Sequence, residues 1–169
     1  HLNSLQELLQ KEGTPYFNGL LKSMRKLTKE INLPVIVKEI GSGISSKVAE
    51  RLLDNGVKGI DVAGAGGTSW AGIELLRNKS LVNDYFWDWG LPTSFCLREN
   101  SKLKKNYKFI LIGSGGINSA VDASKAFALG ADYVASARTI LKVLDTSGVH
   151  GVKNLIAVWF ETIRKIMFL

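Results

Sequence analysis

Four short runs of apolar and β-branched residues set what this chain can fold into: VIVKEI (35–40), GIDVAG (59–64), FILIGSGG (109–116) and DYVASA (132–137). Each is too short for a helix and fits a strand in a buried sheet. Amphipathic stretches alternate with them. Ser45 and Ser46 offer N-caps to KVAERLLDN, which Gly56 ends. Thr68 or Ser69 opens WAGIELL, and INSAVDASKAFALG is a helix ended by Gly130. The closing stretch places Val152, Leu155, Ile156, Trp159, Ile163 and Ile166 at helical spacing, which predicts a core-facing helix. A further helix is predicted over 18–31, as the crossover into the first run.

Strand, turn, helix, strand in this order predicts parallel strands joined by right-handed crossovers. Successive runs lie about 25 residues apart, one βα unit each. The exception is the gap after the second run, where KSLVNDYFWDWGLPT is an insertion ahead of a helix starting near Thr93. Four βα units in one domain over 1–169 make either a small open sheet or half of an eight-stranded (β/α)8 TIM barrel. Glycines at the C-terminal end of one strand after another favour the barrel, in which chemistry gathers at that end. Any strand before 18–31 ends at or before His1, so the chain reads as cut at a strand end, with the N-terminal half of the barrel absent.

Charge narrows the partners. A formal net charge of +7 favours anions, but the lysines are dispersed. No zinc-finger spacing, basic helix or aromatic RNA-binding signature is present, which argues against nucleic acid. KLKKNYK (102–108) reads as the solvated end of a helix, and a phosphorylated small molecule suits the field better. No apolar run reaches the roughly 20 residues of a membrane span. No signal peptide pattern opens the chain. The single cysteine, Cys96, excludes an internal disulfide, fits a reducing cytoplasm and reads as a small core residue.

GSGGIN (113–118) is the strongest local feature. Glycines between a strand and a helix let backbone N–H groups approach a phosphate, or they simply make a tight turn. Ala137 and Arg138 end the next strand, and the loops after the last two strands are the recurrent phosphate site of a barrel. GAGGTSW (64–70) repeats the design, with Thr68 and Ser69 as hydroxyl donors or as a cap. Lys38, inside an apolar strand, either projects into the barrel mouth towards a ring carbonyl or anionic ring nitrogen, or snorkels to the surface. Asp61 reads as a structural carboxylate; Asp122 and Asp132 read as helix and strand-edge charges. At the other end, HLNSLQE brings His1, Asn3, Gln6 and Glu7 together, either as helix caps or as ligands; Glu7 suits a hard cation such as Mg²⁺ held mainly by substrate phosphates.

Taken together, these residues resemble the type 2, FMN-dependent isopentenyl-diphosphate isomerase family. The match rests on HLNSLQE, LPVIVKEIGSGIS, IDVAGAGGTSW, WGLPT, GSGGINSAVDASKAFALGADYV and the closing IMFL. The resemblance implies that Lys38, Thr68, Gly115, Gly116, Ile117, Ala137 and Arg138 bind FMN, the last five at its phosphate. It implies that Gln6 contacts substrate and acts in catalysis. Glu7 would hold Mg²⁺ against the diphosphate, with His1 and Asn3 on the diphosphate side. The implied reaction interconverts isopentenyl and dimethylallyl diphosphate on reduced FMN, with NADPH as reductant, in a cytoplasmic homo-oligomer, a tetramer or octamer when intact. Lys11 stands where the family often has proline, which alters only a turn. Family chains are about twice as long, so this piece alone is expected to be inactive. The alternatives are a non-catalytic half barrel that binds a phosphorylated ligand, and another FMN-dependent TIM-barrel oxidoreductase.

Overall fold

Three serines start three of the helices. Ser45, Ser69 and Ser119 each accept a backbone N–H from three residues on, those of Val48, Gly72 and Asp122, satisfying a donor that the first helical turn leaves free. The computed structural model describes residues 3–78 and 84–169; His1 and positions 79–83 of the insertion lie outside the described residues. In chain order the elements are α1 (Ser4–Leu9), α2 (Leu20–Glu30), β1 (Ile36–Lys38), α3 (Ser46–Asp54), β2 (Gly59–Asp61), α4 (Trp70–Arg77), α5 (Thr93–Ser101), β3 (Ile110–Gly113), α6 (Ala120–Ala128), β4 (Tyr133–Val134) and α7 (Arg138–Phe168). A 3-10 turn over Lys102–Lys105 continues α5. α3 and α6 stop before Gly56 and Gly130, as the spacing predicts.

All strand pairs are parallel and the sheet order is β1-β2-β3-β4. The four expected runs all become strands, each shorter than its apolar stretch. Register puts Val37, Ile60 and Leu111 side by side, and all three are buried. They pack with Leu52 of α3, Leu97 of α5 and Ala123 and Ala126 of α6. Each large side chain in this layer contributes about 1.5–3 kcal/mol by leaving water. Period-two alternation turns the neighbouring residues to the other face. There Ile36 and Tyr133 are exposed and Lys38 is half exposed. The sheet therefore has one face covered by helices and one open, the arrangement of a barrel wall seen in part.

The insertion ends as a strap. Leu91 donates its N–H to the Ser42 carbonyl at 2.8 Å, and Ala65 donates to the Leu91 carbonyl at 2.9 Å. WGLPT thus runs between the loops that follow β1 and β2 before Thr93 starts α5.

α7 departs from expectation. Trp159 and Ile163 pack against the core, but no α7 residue is fully buried and Ile156 is exposed. The helix is broken at Gly148, and it follows a two-residue β4 with no described strand beyond to cover the rest of its apolar surface. No helix among the described residues is long and apolar enough to cross a membrane.

Cys96 sits on α5 with no exposed surface, and burial pushes its thiol up to about 11. Only the thiolate reacts, so iodoacetamide at pH 8 is expected to leave Cys96 unmodified in the folded protein and to label it fully in denaturant. Labelling of the native protein at the rate of a free thiol would show that α5 does not pack as described.

Candidate functional site

The sheet's C-terminal end is built from loops that close on one another. Thr93, buried at the start of α5, donates its hydroxyl to the carbonyls of Ser114 at 3.1 Å and Gly115 at 2.7 Å. Its backbone N–H donates to the Ala65 carbonyl at 3.2 Å, so Thr93 holds the loop after β3 against the loop after β2. A Cβ on Gly116 would lie 2.6 Å from the Gly66 carbonyl oxygen, and one on Gly67 would lie 2.9 Å from the Gly116 nitrogen. Gly115 and Gly116 both have positive φ, +89° and +80°, where a side chain is strained as well as crowded. Backbone lies on backbone here, and only glycine allows it.

Within that frame Lys38 ends β1, and its Nζ donates to Asp61 Oδ2 at 3.0 Å and to Ser114 Oγ at 3.4 Å. Ser114 donates in turn to Asp61 Oδ1, which also accepts the Ala63 N–H at 3.3 Å. One residue from each of three neighbouring strand ends thus forms a single network. Asp61 is buried while Lys38 keeps about half its side chain exposed on the open face. Lys38 therefore points to the mouth, as expected, and Asp61 is the structural carboxylate that anchors it. Asp122 and Asp132 are also structural. Asp122 caps with Ser119, and Asp132 accepts from the Leu111 N–H and pairs with Lys104.

The loop after β3 and the start of α7 are joined by Thr139, whose Oγ1 donates to Asn118 Oδ1 at 3.2 Å. α7 begins at Arg138 with no side-chain cap, and Arg138 is exposed with no ion pair among the described residues. Gly115, Gly116, Ile117, Ala137 and Arg138 are thus brought to one place, with uncapped helical N–H groups that favour an anion. Thr68 lies exposed on the adjoining glycine loop, while Ser69 is spent on capping α4.

α1 joins the same end. Asn3 is buried; its Oδ1 accepts the Gln6 N–H at 2.7 Å and its Nδ2 donates to Ser42 Oγ at 3.2 Å. Asn3 is thereby a cap and a tether, with both side-chain ends engaged. Gln6 is buried, and its Oε1 has no hydrogen-bond partner. Leaving such an acceptor unpaired costs about 1–3 kcal/mol, so it is a group that a ligand can satisfy. Glu7 is half-buried, and its Oε2 accepts the Thr14 N–H at 2.8 Å. No group of three or more His, Cys, Asp or Glu suited to a metal occurs among the described residues.

Two buried carboxylates escaped the sequence reading. Glu74 is 3% exposed on α4 and pairs with Arg77 at 3.0 Å; its signal is a charge between the buried Ala71 and Leu75. Glu39 follows Lys38 directly and is 5% exposed. Its signal is a second charge at the end of an apolar strand, immediately before a glycine turn.

The cleft between α1, the loop after β1 and the loop after β2 is lined by Asn3, Ser42, Gly67, Thr68 and Trp70, and holds only about 80 Å³. Small-molecule sites usually hold roughly 300–1,000 Å³. The site is a ledge along strand ends, open on the side away from the covering helices.

A parallel α/β wall with glycine loops packed together at the strand C-terminal ends and a lysine at the mouth is the class of a barrel wall with its site at that end. The FMN-dependent dehydrogenase family matches residues 7–169, and the chain belongs to it. Curated relatives align with the chain over part of their own length. The chain is 43% identical over 186 residues to an isopentenyl-diphosphate delta-isomerase of Chlorobium phaeobacteroides, aligning 100% of itself with 50% of that protein. The same named enzyme in Pyrococcus furiosus is 39% identical, with 100% and 43% covered, and in a Synechococcus species 47% identical, with 87% and 43% covered. The chain spans about half the length of the curated relatives it matches. Among solved structures, mandelate oxidase with benzoyl-formic acid is 26% identical at a TM-score of 0.64, covering 88% of this chain and 38% of that one. The fold is accordingly part of a TIM barrel.

The residues present fit FMN. The loops after β3 and β4 offer N–H groups to a phosphate, and Lys38 offers a fixed cation beside a bare glycine loop. Gly116→Ala is expected to push these loops apart. Positive φ alone costs about 1–2 kcal/mol, which the loop sheds by leaving its bound position, so FMN affinity should fall by roughly five- to thirtyfold in the complete protein. Flavin absorbance after dialysis measures this. Undiminished FMN content would remove the glycine contact from the binding site.

Proposed function

We propose that the protein containing this chain interconverts isopentenyl and dimethylallyl diphosphate on reduced FMN with Mg²⁺, and that these 169 residues by themselves do not. The observation that carries the reading is Gln6. It is a buried amide with an unpartnered Oε1, on a helix tethered to the mouth of a flavin barrel, inside a segment close in sequence to isomerases.

Bound and reduced, FMN supplies the proton-transfer chemistry, and NADPH is the proposed reductant. The chain's own residues bind and orient. Lys38, fixed by Asp61, would set positive charge beside the flavin ring, and Thr68 would bind the same cofactor. Gly115, Gly116, Ile117, Ala137 and Arg138 would hold the FMN phosphate. Gln6 would contact the substrate. Glu7 brings a single carboxylate, half of it already used on Thr14, so Mg²⁺ there would rest mainly on diphosphate and water oxygens. His1 and Asn3 belong to the diphosphate side, Asn3 through its tether to Ser42. Such a division of labour explains a site with no nucleophile–base pair. A cytoplasmic location is part of the same reading, supported by the single buried thiol. So is a homo-oligomer, supported by the exposed Val149, Phe160 and Met167 of α7.

The mandelate oxidase likeness favours hydroxyacid oxidation as a second reading. That reaction needs a general base at the substrate's hydroxyl or α-carbon. The only histidine among the described residues is His150, exposed on α7, which weighs against it.

The test is isomerisation by the complete holoprotein with reduced FMN and Mg²⁺. Turnover is expected. Glu7→Gln should lower kcat/KM by at least roughly tenfold, the worth of one charge-assisted contact of about 1.5–3 kcal/mol, and should raise the Mg²⁺ concentration for half-activity. Oxidation of mandelate without isomerisation would overturn the proposal.

A further inference from the structure

The mechanism above gives no task to Glu39, a buried carboxylate at the mouth. Glu39 follows Lys38, and its Oε2 accepts three consecutive backbone N–H groups, from Ile40 at 2.6 Å, Gly41 at 2.8 Å and Ser42 at 2.6 Å. No ion pair is formed by Glu39 among the described residues. The first glycine loop is therefore already folded around a carboxyl oxygen, one that belongs to the chain. It is unavailable to a phosphate, unlike the loop after β3.

The clamped loop is a junction. Ser42 Oγ accepts from Asn3, the cap of the helix carrying Gln6 and Glu7. The Ser42 carbonyl accepts from Leu91 in the WGLPT strap, and Gly43 donates to the Ala63 carbonyl at the end of β2. A Cβ on Gly41 would lie 3.2 Å from the Thr68 carbonyl oxygen. Substrate-side helix, strap and cofactor-side loop all take their position from a turn folded around one carboxylate.

We infer that Glu39 is a positioning residue, which sets α1, and with it Gln6 and Glu7, against the cofactor face defined by Lys38 and Thr68. The inference rests on the isomerase reading for its kinetic consequence and on hydrogen-bond geometry for its structural one. What the turn requires is an acceptor oxygen at that point. Burial raises the Glu39 carboxyl above its ordinary range, against the pull of these N–H groups and that of Gly43. An amide oxygen at the same place can accept from the same N–H groups.

The experiment compares Glu39→Ala and Glu39→Gln in the complete FMN-bound protein, by amide hydrogen exchange and by kinetics. In Glu39→Ala, protection at residues 40–43 and at the Gln6 and Glu7 amides should fall by at least roughly tenfold. Protection at 110–113 and FMN stoichiometry should be unchanged. Isomerase kcat/KM should drop by at least roughly tenfold, and Glu39→Gln should restore both readouts to within about threefold of wild type. Unchanged protection of Gln6 and Glu7 in Glu39→Ala overturns the inference. So does loss of FMN and of 110–113 protection together, which marks a general structural role. Equal damage from Glu39→Gln also overturns it, since the charge would then be required. A wild-type protein that does not isomerise refutes the functional reading alone, and the exchange pattern still decides the role of Glu39.

Discussion

The contact on which this structure depends is the one between two stretches of bare backbone. The loops after β2 and β3 lie so close that Gly116 has the Gly66 carbonyl where a side chain would begin. Without that approach Thr93 would have no pair of carbonyls to reach, and Ser114 would not meet Asp61 and Lys38. The glycines provide no chemistry themselves. They remove bulk so that strand ends can converge, and the polar side chains of neighbouring strands become one network.

That network decides what a single lysine can do. An ammonium on a free tether is a mobile point charge with several rotatable bonds to order. Held by a buried aspartate that itself accepts from Ser114 and the Ala63 N–H, the charge has a fixed place. Asp61 is itself tied to backbone and serine, so the lysine remains half exposed and available on the open face. The sequence points to each residue separately. Their pairing depends on register, with Lys38 directly beside Asp61, and register is a property of the folded sheet.

Much else was legible from periodicity and capping. The strands follow from β-branched runs, and Ser45 and Ser69 cap the helices they precede because a hydroxyl there satisfies an N–H that the helix cannot. Cys96 is a core residue as read. What was hidden has one cause: burial of charge. Glu39 and Glu74 look like solvent-facing residues in a one-dimensional pattern, and only the folded chain shows backbone N–H groups around one and Arg77 beside the other. α7 misled for the opposite reason. Its apolar spacing is that of a core helix, but among the described residues Ile156 stays exposed.

The open face ties these observations together. A sheet with one covered face and an 80 Å³ cleft cannot enclose a tricyclic ring, yet every loop at its C-terminal end is already ordered by internal bonds. Glu39 fills the first loop, Thr93 pins the third, and Asn118 with Thr139 ties the third to α7. Preorganisation of this kind lowers the cost of binding, because the loops need not be ordered by the ligand. It also divides the work within the barrel. On the proposed function, this wall would hold the phosphate and cation contacts in rigid backbone, and whatever covers the open face would supply the enclosure that excludes water.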